Sequence, residues 1–473
     1  MSLEITDELI ASFPPEAQAV IRALLGEIAE LKEKLGTSPR NSSVPPSSEH
    51  PHAKPPPKPK PKNKNKRKRG GQKGHPKHER ELIPVEDCDD VIPLKPTNCR
   101  RCGEPLAGED AAPWRHQVWE LPKIEPTVIE YQRHRLTCPC CSESTCAPLP
   151  DGVPAGQSGP RLIAFTAVLM AHFRQSKRRT ALFLESLFGQ PCSTGLVVKL
   201  QNIAAAALRP NYEELKDAIP DQPIIGGDES PTKEANHKAW VWTFVASAFT
   251  VFAMRPTRAA TVLKEFLGKF RGIINCDRAK MYWALAQESA DECVHRLQWC
   301  WAHLQRDFQK LIDSPDHQVK RLGYDLMRPT KELFRQWAKC RDGTITHAEM
   351  KETLEPIREQ VDALLLRGVF SGNVKLKGMC KELYDHRAWL WTFLDHEGVE
   401  PTNNASERSL RHAVIWRKLS FGTQSETGSR FVETMLTVIE TCRQQERGVY
   451  EHITTAIEAH FNSQTPPSLL PGA

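Results

Sequence analysis

Three acids in this chain stand where a carboxylate has work to do. Asp228 closes the apolar run Pro223-Ile224-Ile225-Gly226-Gly227, and Asp277 closes Gly272-Ile273-Ile274-Asn275-Cys276. Glu407 lies far downstream in Asn403-Asn404-Ala405-Ser406-Glu407-Arg408-Ser409-Leu410-Arg411, surrounded by cations and followed by Arg417-Lys418. Two carboxylates from neighbouring strands and a third from a late helix form a hard-oxygen set suited to Mg²⁺ or Mn²⁺. Two such ions about 3.5–4 Å apart activate a nucleophile and stabilise the leaving oxygen in phosphodiester cleavage. Arg408, Arg411, Arg417 and Lys418 would then grip the substrate backbone. Taken singly, each acid has a plainer reading as a solvated or salt-bridged group, Glu407 with Arg411 one helical turn on.

A second chemistry-bearing set is made of thiols. Cys99-Arg100-Arg101-Cys102 and Cys138-Pro139-Cys140-Cys141 present two Cys-x-x-Cys pairs separated by 35 residues. That spacing suits a tetrahedral structural Zn²⁺ held by Cys99, Cys102, Cys138 and Cys141, a set that leaves no open coordination position. Cys140 is able to replace a neighbour, and Cys88 and Cys146 are spares. Trp114–Leu121 and Thr127–Arg135 alternate like strands between the pairs, so a ribbon-like module is expected.

The elements that must position the acids are legible from period. Strands are expected over 223–229, 239–246, 249–254, 272–277 and 294–299, with a helix over 258–270, which gives an α/β core. Asp228 and Asp277 are expected at the C-terminal ends of their strands, where ligands collect in such sheets. Residues 302–398 are helical in pattern with a break at 368–378, too long for a loop, and read as an inserted helical subdomain. Thr402–Leu410 reads as a helix start capped by Ser406 or Asn404. Closing helices are expected over 431–442 and 450–461. Between Gly159 and Ala218 the pattern is helical, with a capping Ser/Thr at 193–194. Arg174, Lys177, Arg178 and Arg179 lie near its first inter-helix turn, so this region fits either a helix-turn-helix DNA reader or scaffold.

Upstream, Ile21, Leu24, Ile28, Leu31 and Leu35 recur at alternating spacings of 3 and 4, a heptad seam. It predicts a short self-association helix, the alternative being a lone amphipathic helix docked on the body. Residues 51–80 carry twelve Lys or Arg, among them Lys64, Lys66, Arg67, Lys68 and Arg69, against the single acid Glu79. Such a block stays open until it meets a polyanion, nucleic acid first among the candidates. Proline, with 37 residues of 473, concentrates in this part of the chain and keeps it extended. No run of 18 apolar residues and no signal-like N-terminus occur, so a soluble, unsecreted protein without membrane partners is expected.

Together these motifs resemble the transposases of the insertion sequence 66 family. Gly227-Asp228-Glu229-Ser230, Asn275-Cys276-Asp277-Arg278-Ala279-Lys280-Met281-Tyr282, Cys300-Trp301-Ala302-His303-Leu304-Gln305-Arg306-Asp307-Phe308, and Asn403–Arg408 with Arg417-Lys418 match the family's motifs in order. The resemblance spans nearly the whole chain. It implies a DDE-type catalytic domain of RNase H-like fold, with a mixed sheet and a helical insertion. Asp228, Asp277 and Glu407 would be the catalytic metal-binding triad. It further implies hydrolysis at the ends of a bacterial mobile element, then attack of the freed 3′-hydroxyl on target DNA, without a covalent protein–DNA intermediate. DNA, copies of the same chain and small companion proteins encoded nearby are the implied partners, and a cytoplasmic, nucleoid-associated location follows. His303 fits both orientation of a phosphate or ligand and a buried structural role. Two departures stand out: Thr402 where the family has Asp, and Arg278 where it has Gly.

The expected organisation is a zipper-like helix (1–36), a basic Pro-rich linker (37–84), a zinc module (85–150) and a helical DNA-binding or scaffold region (159–220). The catalytic domain (221–446, with the insertion at 302–398) and a C-terminal helix and tail (447–473) follow. The rival expectations are an RNase H-like nuclease without strand transfer and a DNA-binding protein with a decayed catalytic core.

Overall fold

The computed structural model describes residues 7–35, 80–288 and 296–472. The basic arm from Lys64 to Arg69 lies outside the described residues. The chain divides into two compact units, one of residues 52–127 and one combining 1–51 with 128–473.

In the larger unit, α1 (Asp7–Ala11) precedes α2 (Pro15–Leu35), which opens on Pro15 and Glu16. Proline with its preset φ and an acid at the positive helix end both favour a start there. The heptad seam is helical as expected, and Leu24, Ile28 and Leu31 are exposed along it.

The described residues of the smaller unit, 80–127, have little regular structure. Val85–Asp87 forms a single 3₁₀ turn, and Asn98 and Pro105 form an isolated bridge. The Gln117 amide ties the strand-like segment to residue 83 by accepting from the Ile83 N–H at 3.0 Å and donating to its carbonyl at 2.9 Å. The strands expected over 114–121 and 127–135 do not form. Only β1 (Arg135–Thr137) and β2 (Ser144–Cys146), both in the larger unit, pair as a short antiparallel ribbon. Trp114, Val118, Leu121 and Val128 in these stretches are exposed. Alternation stabilises a strand only where a partner strand and an apolar face receive it.

The main body begins with α3 (Pro160–Ala171), α4 (Lys177–Phe188) and α5 (Thr194–Asp217). Ser176 and Ser193 cap α4 and α5 by accepting from Arg179 and Leu196 N–H groups. The sheet follows as β3 (Ile224–Glu234), β4 (His237–Val245) and β5 (Thr250–Arg255), then α6 (Ala260–Leu267), β6 (Ile273–Cys276), α7 (Lys280–Glu288) and β7 (Arg296–Trp299). The strand order is β5-β4-β3-β6-β7. The first three strands are mutually antiparallel, and β6 and β7 run parallel to β3. Ala235 and Asn236, both with positive φ, make the tight β3–β4 turn. β6 is buried throughout, as a continuous apolar run inside a covered sheet must be.

Helices α8 (Trp301–Ile312), α9 (His317–Arg341), α10 (His347–Val369), α11 (Val374–Asp385) and α12 (Thr392–Asp395) come next. They lead to α13 (Asn404–Ser420), α14 (Glu426–Gln444) and α15 (Val449–Phe461). The break foreseen at 368–378 is the α10–α11 turn. α13 packs on β3 and β4, and α14 on β5 and α5.

α14 also closes the sheet edge. The N–H groups of Thr250, Phe252 and Met254 donate to Thr441 Oγ1, Thr437 Oγ1 and Glu433 Oε2 at 3.2, 2.9 and 3.0 Å. Four helical residues rise about 6 Å and two strand residues about 6.6 Å, so acceptors every fourth residue match donors every second one. An edge that would otherwise be open to pairing with another chain is thereby satisfied. Glu433 itself is fully buried, and its charge is met by Arg209 (2.9 Å), Arg430 (3.0 Å) and Arg255 (3.5 Å).

Candidate active site

The parallel register aligns Gly226 with Asn275, so Asp228 and Asp277, each two residues further on, leave the sheet at the same level and on the same face. Asp277 follows directly on the last residue of β6, as expected. Asp228 does not end its strand: β3 continues to Glu234 because the antiparallel partner β4 extends it. What ends at Gly226 is the parallel pairing with β6, and Asp228 lies just past that point.

Glu407 arrives from the first turn of α13, whose start is sewn to these strand ends. The Asn403 amide donates to the Gly227 carbonyl (2.8 Å), and its N–H to Cys300 Sγ (3.2 Å). The Asn275 amide donates to the carbonyls of Glu400 (2.7 Å) and Thr402 (3.0 Å). The Trp301 and Cys300 N–H groups donate to the carbonyls of Pro401 (2.9 Å) and Cys276 (3.0 Å). Asn403, not Ser406 or Asn404, is the N-cap residue, and its side chain serves the strand rather than the helix. The approach needs glycine: a Cβ on Gly226 would lie 2.3 Å from Ser406 Oγ.

The electrostatics are those of crowded carboxylates. Burial holds Asp228 well above the usual carboxylate range, and the charges of Glu229, Asp277 and Glu407 push it the same way. Burial also raises Asp277, against the Ala279 N–H (2.8 Å) and the Arg258 and Arg278 cations. Glu229 is pushed up to about 7 by burial and by Asp277. Its oxygens accept from Arg258 Nε (2.7 Å) and Tyr282 Oη (3.1 Å). A cluster of mutually repelling carboxyl groups is the donor chemistry that hard divalent cations fit, since they replace mutual repulsion with attraction.

Glu407 also faces α8. Arg306 Nη2 donates to its Oε1 at 3.3 Å, and His303 Nδ1 lies 3.7 Å from the same oxygen. Cys300, His303 and Glu407 hold ligand-type atoms within 4.8 Å of one another, a set to which Asp228 and Asp277 do not belong. Burial, with Arg306 and Arg278 nearby, pushes His303 down to about 3, so the imidazole is neutral. Burial pushes the Cys300 thiol up to about 11.

The cations expected to grip a backbone divide in two. Arg408, Arg411 and Lys418 are exposed on α13, whereas Arg417 is half-buried. Arg278 turns its guanidinium to Asp307 (2.5 Å) and Glu382 (2.9 Å), joining α8 to α11, and acts on Asp277 through its charge. Thr402 is buried and serves through its backbone carbonyl. Neither departure displaces a member of the acidic set. Sequence reasoning passed over Glu229, Arg258, Arg306, Asn275 and Asn403 as site-building groups. The only signal available was that Glu229, Asn275, Arg306 and Asn403 lie inside the quoted motifs.

Each thiol pair forms a knuckle of its own. The Cys99 N–H donates to the Glu104 carbonyl (2.8 Å) and Gly103 N–H to the Cys99 carbonyl (2.9 Å); Cys138, Glu143 and Ser142 repeat this at the same distances. Gly103 (φ 80°) and Ser142 (φ 59°) both turn left-handed after the second cysteine. Cys141, not Cys140, therefore corresponds to Cys102. The N–H groups of Cys102 and Arg101 hold the Cys99 thiol below its ordinary range, and those of Cys141 and Cys140 do so for Cys138. A loop that favours thiolate fits zinc. The Gln117 amide donates to Cys88 Sγ (3.3 Å), and Cys146 lies on β2, so both spares have other settings.

Comparison with known proteins identifies the family. The model of the transposase IS66 family matches residues 155–430, which contain the sheet, all three acids and α13. The chain belongs to the transposase IS66 family. The zinc-finger binding domain of transposase IS66 matches residues 96–142, spanning both knuckles, and a family of unknown function (DUF6444) matches residues 5–81. Two relatives come from Sinorhizobium fredii. Uncharacterized protein y4hP is 25% identical over 396 residues, 77% of this chain and 69% of the relative. Uncharacterized protein y4qI is 25% identical over 384 residues, 76% of this chain and 70% of the relative. Among the described residues, no helix of this family member is long and apolar enough to cross a membrane.

Proposed function

We propose that this IS66-family chain is a DNA transposase that hydrolyses phosphodiester bonds at the ends of its element and joins the freed 3′-hydroxyl to target DNA. The observation that carries the reading is the parallel register that brings Asp228 and Asp277 out at one level, with Asn403 tying the start of the Glu407 helix to Gly227, for three acids separated by 49 and 130 residues of chain. The strand order, three antiparallel strands followed by two parallel to the first on its other side, supports an RNase H-like catalytic domain.

In this reading Asp228, Asp277 and Glu407 hold divalent cations, Mg²⁺ or Mn²⁺ and two in number. Such ions, when bound, supply Lewis-acid stabilisation of the attacking and leaving oxygens. Arg408, Arg411 and Lys418 bind the phosphate backbone beside Glu407, with the half-buried Arg417 closing the same helix. Lys64, Lys66, Arg67, Lys68 and Arg69 add a sequence-independent grip on the duplex. Cys99, Cys102, Cys138 and Cys141 hold the structural zinc. The exposed Leu24, Ile28 and Leu31 support self-association through α2.

Labelled element ends with Mg²⁺ and a target duplex test this directly. Wild type is expected to cleave and join, and Asp277→Asn to abolish both while binding ends with unchanged affinity. Cleavage by Asp277→Asn at the wild-type rate would overturn the triad. Cleavage without joining by wild type would reduce the function to that of a nuclease, and end binding without cleavage to that of a decayed binder.

A further inference from the structure

We infer that Cys300, His303 and Glu407 form a second divalent-cation site, selective for a thiophilic ion of the zinc and cobalt class. The sulfur, the imidazole nitrogen and the carboxylate oxygen lie within 4.8 Å of one another, close enough to share one ion. Cys300 is the N-cap residue of α8 and His303 lies in the first turn after it, so both come from one side of a helix start. Glu407 comes from the first turn of α13. The two starts are locked together by the bonds from Trp301 N–H to Pro401 and from Asn403 N–H to Cys300 Sγ. The donors are therefore pre-positioned on rigid elements.

A second observation points to a ligand. His303 Nδ1 is buried, and among the described residues no hydrogen-bond partner reaches it. Its distance of 3.7 Å from Glu407 Oε1 is beyond hydrogen-bonding range. An orphaned buried ring nitrogen is destabilising, and a coordinated ion would relieve it. The mixed S, N and O set selects the ion: Mg²⁺ demands oxygen donors, whereas thiolate with imidazole suits Zn²⁺ or Co²⁺. Three protein donors leave the fourth tetrahedral position to water. On binding, the Cys300 S–H bond breaks, its proton passes to solvent and the thiolate donates the pair to the ion. Arg306 Nη2 must give up its contact with Glu407 Oε1, so Arg306 competes with the ion for that oxygen.

A consequence follows that rests on the proposed function: a thiophilic ion would occupy the carboxylate that Asp228 and Asp277 need, so Zn²⁺ would inhibit cleavage.

The test uses the full chain with its zinc-finger segment loaded with Zn²⁺, titrated with Co²⁺ and followed by absorption. In a large excess of Mg²⁺, wild type should bind one further equivalent with a thiolate-to-cobalt charge-transfer band and release one proton. Cys300→Ser should lose the band and the equivalent. His303→Ala should weaken binding by at least about tenfold, and Arg306→Met should strengthen it. A missing band in wild type, or an unchanged band in Cys300→Ser, overturns the site. If Cys300→Ser fails to fold, undiminished affinity in His303→Ala overturns it equally. Asp277→Asn should keep the band. A band in a wild type that shows no Mg²⁺-dependent cleavage would leave this site standing and fell only the transposase chemistry.

Discussion

The zinc-finger knuckles and the acidic centre solve the same problem, holding charged ligands in place, by opposite means. Each knuckle is closed by hydrogen bonds spanning four or five residues, with its cysteines exposed or half-buried, and borrows nothing from a core. The acidic centre draws on β3, β6, α8 and α13, and long-range bonds such as Asn403 to Gly227, 176 residues apart, assemble it. A knuckle is thus defined by its own short sequence, and the proposed shared zinc would stabilise it. The acidic centre is defined by the sheet and exists only when the whole domain is folded.

That contrast makes breakable predictions. The largest effect should come from removing zinc. Chelation, or Cys102→Ser with Cys141→Ser, should unfold the 96–142 segment, whose ion contributes on the order of 10 kcal/mol. The thermal transition of the sheet domain, followed by near-ultraviolet circular dichroism of its buried tryptophans, should stay where it was. Joint loss of both transitions would show that the knuckles are not local. Next comes Glu433→Ala, which leaves Arg209, Arg255 and Arg430 without their shared partner and frees the Met254 N–H. It should cost the sheet domain about 3 kcal/mol in denaturant unfolding and leave zinc content unaltered. A variant as stable as wild type would mean that α14 does not hold the β5 edge. The smallest is Gly226→Ala, whose methyl meets Ser406 Oγ and pushes α13 off β3. A loss of about 1–3 kcal/mol is expected, with a larger proportional fall in Mg²⁺-dependent cleavage because Glu407 moves with the helix. Unchanged cleavage would separate the position of α13 from the chemistry.

Much of this was legible in residues alone. The buried parallel strand announced itself as an unbroken apolar run at 272–276, and α5 by its Ser193 cap. The seam of α2 showed in its spacing, and both knuckles in Cys-x-x-Cys. Alternation misled at 114–121 and 127–135, because a period of two describes a face but does not supply the strand that pairs with it. Reading Asp228 as a strand end failed for a related reason: β3 has two partners of different length, and only the shorter one stops there.

The sequence by itself determined the family motifs, the order of elements and the local loops, since these depend on neighbours within a few residues. Tertiary structure alone decided that Arg278 bonds to Asp307 and Glu382, and that Asn403 caps a strand's carbonyl rather than its helix. It also decided that Glu407 faces a cysteine–histidine pair on α8 while its charge acts on Asp228. Such choices are set by which buried polar group finds a partner across the fold, and no spacing along the chain encodes that distance.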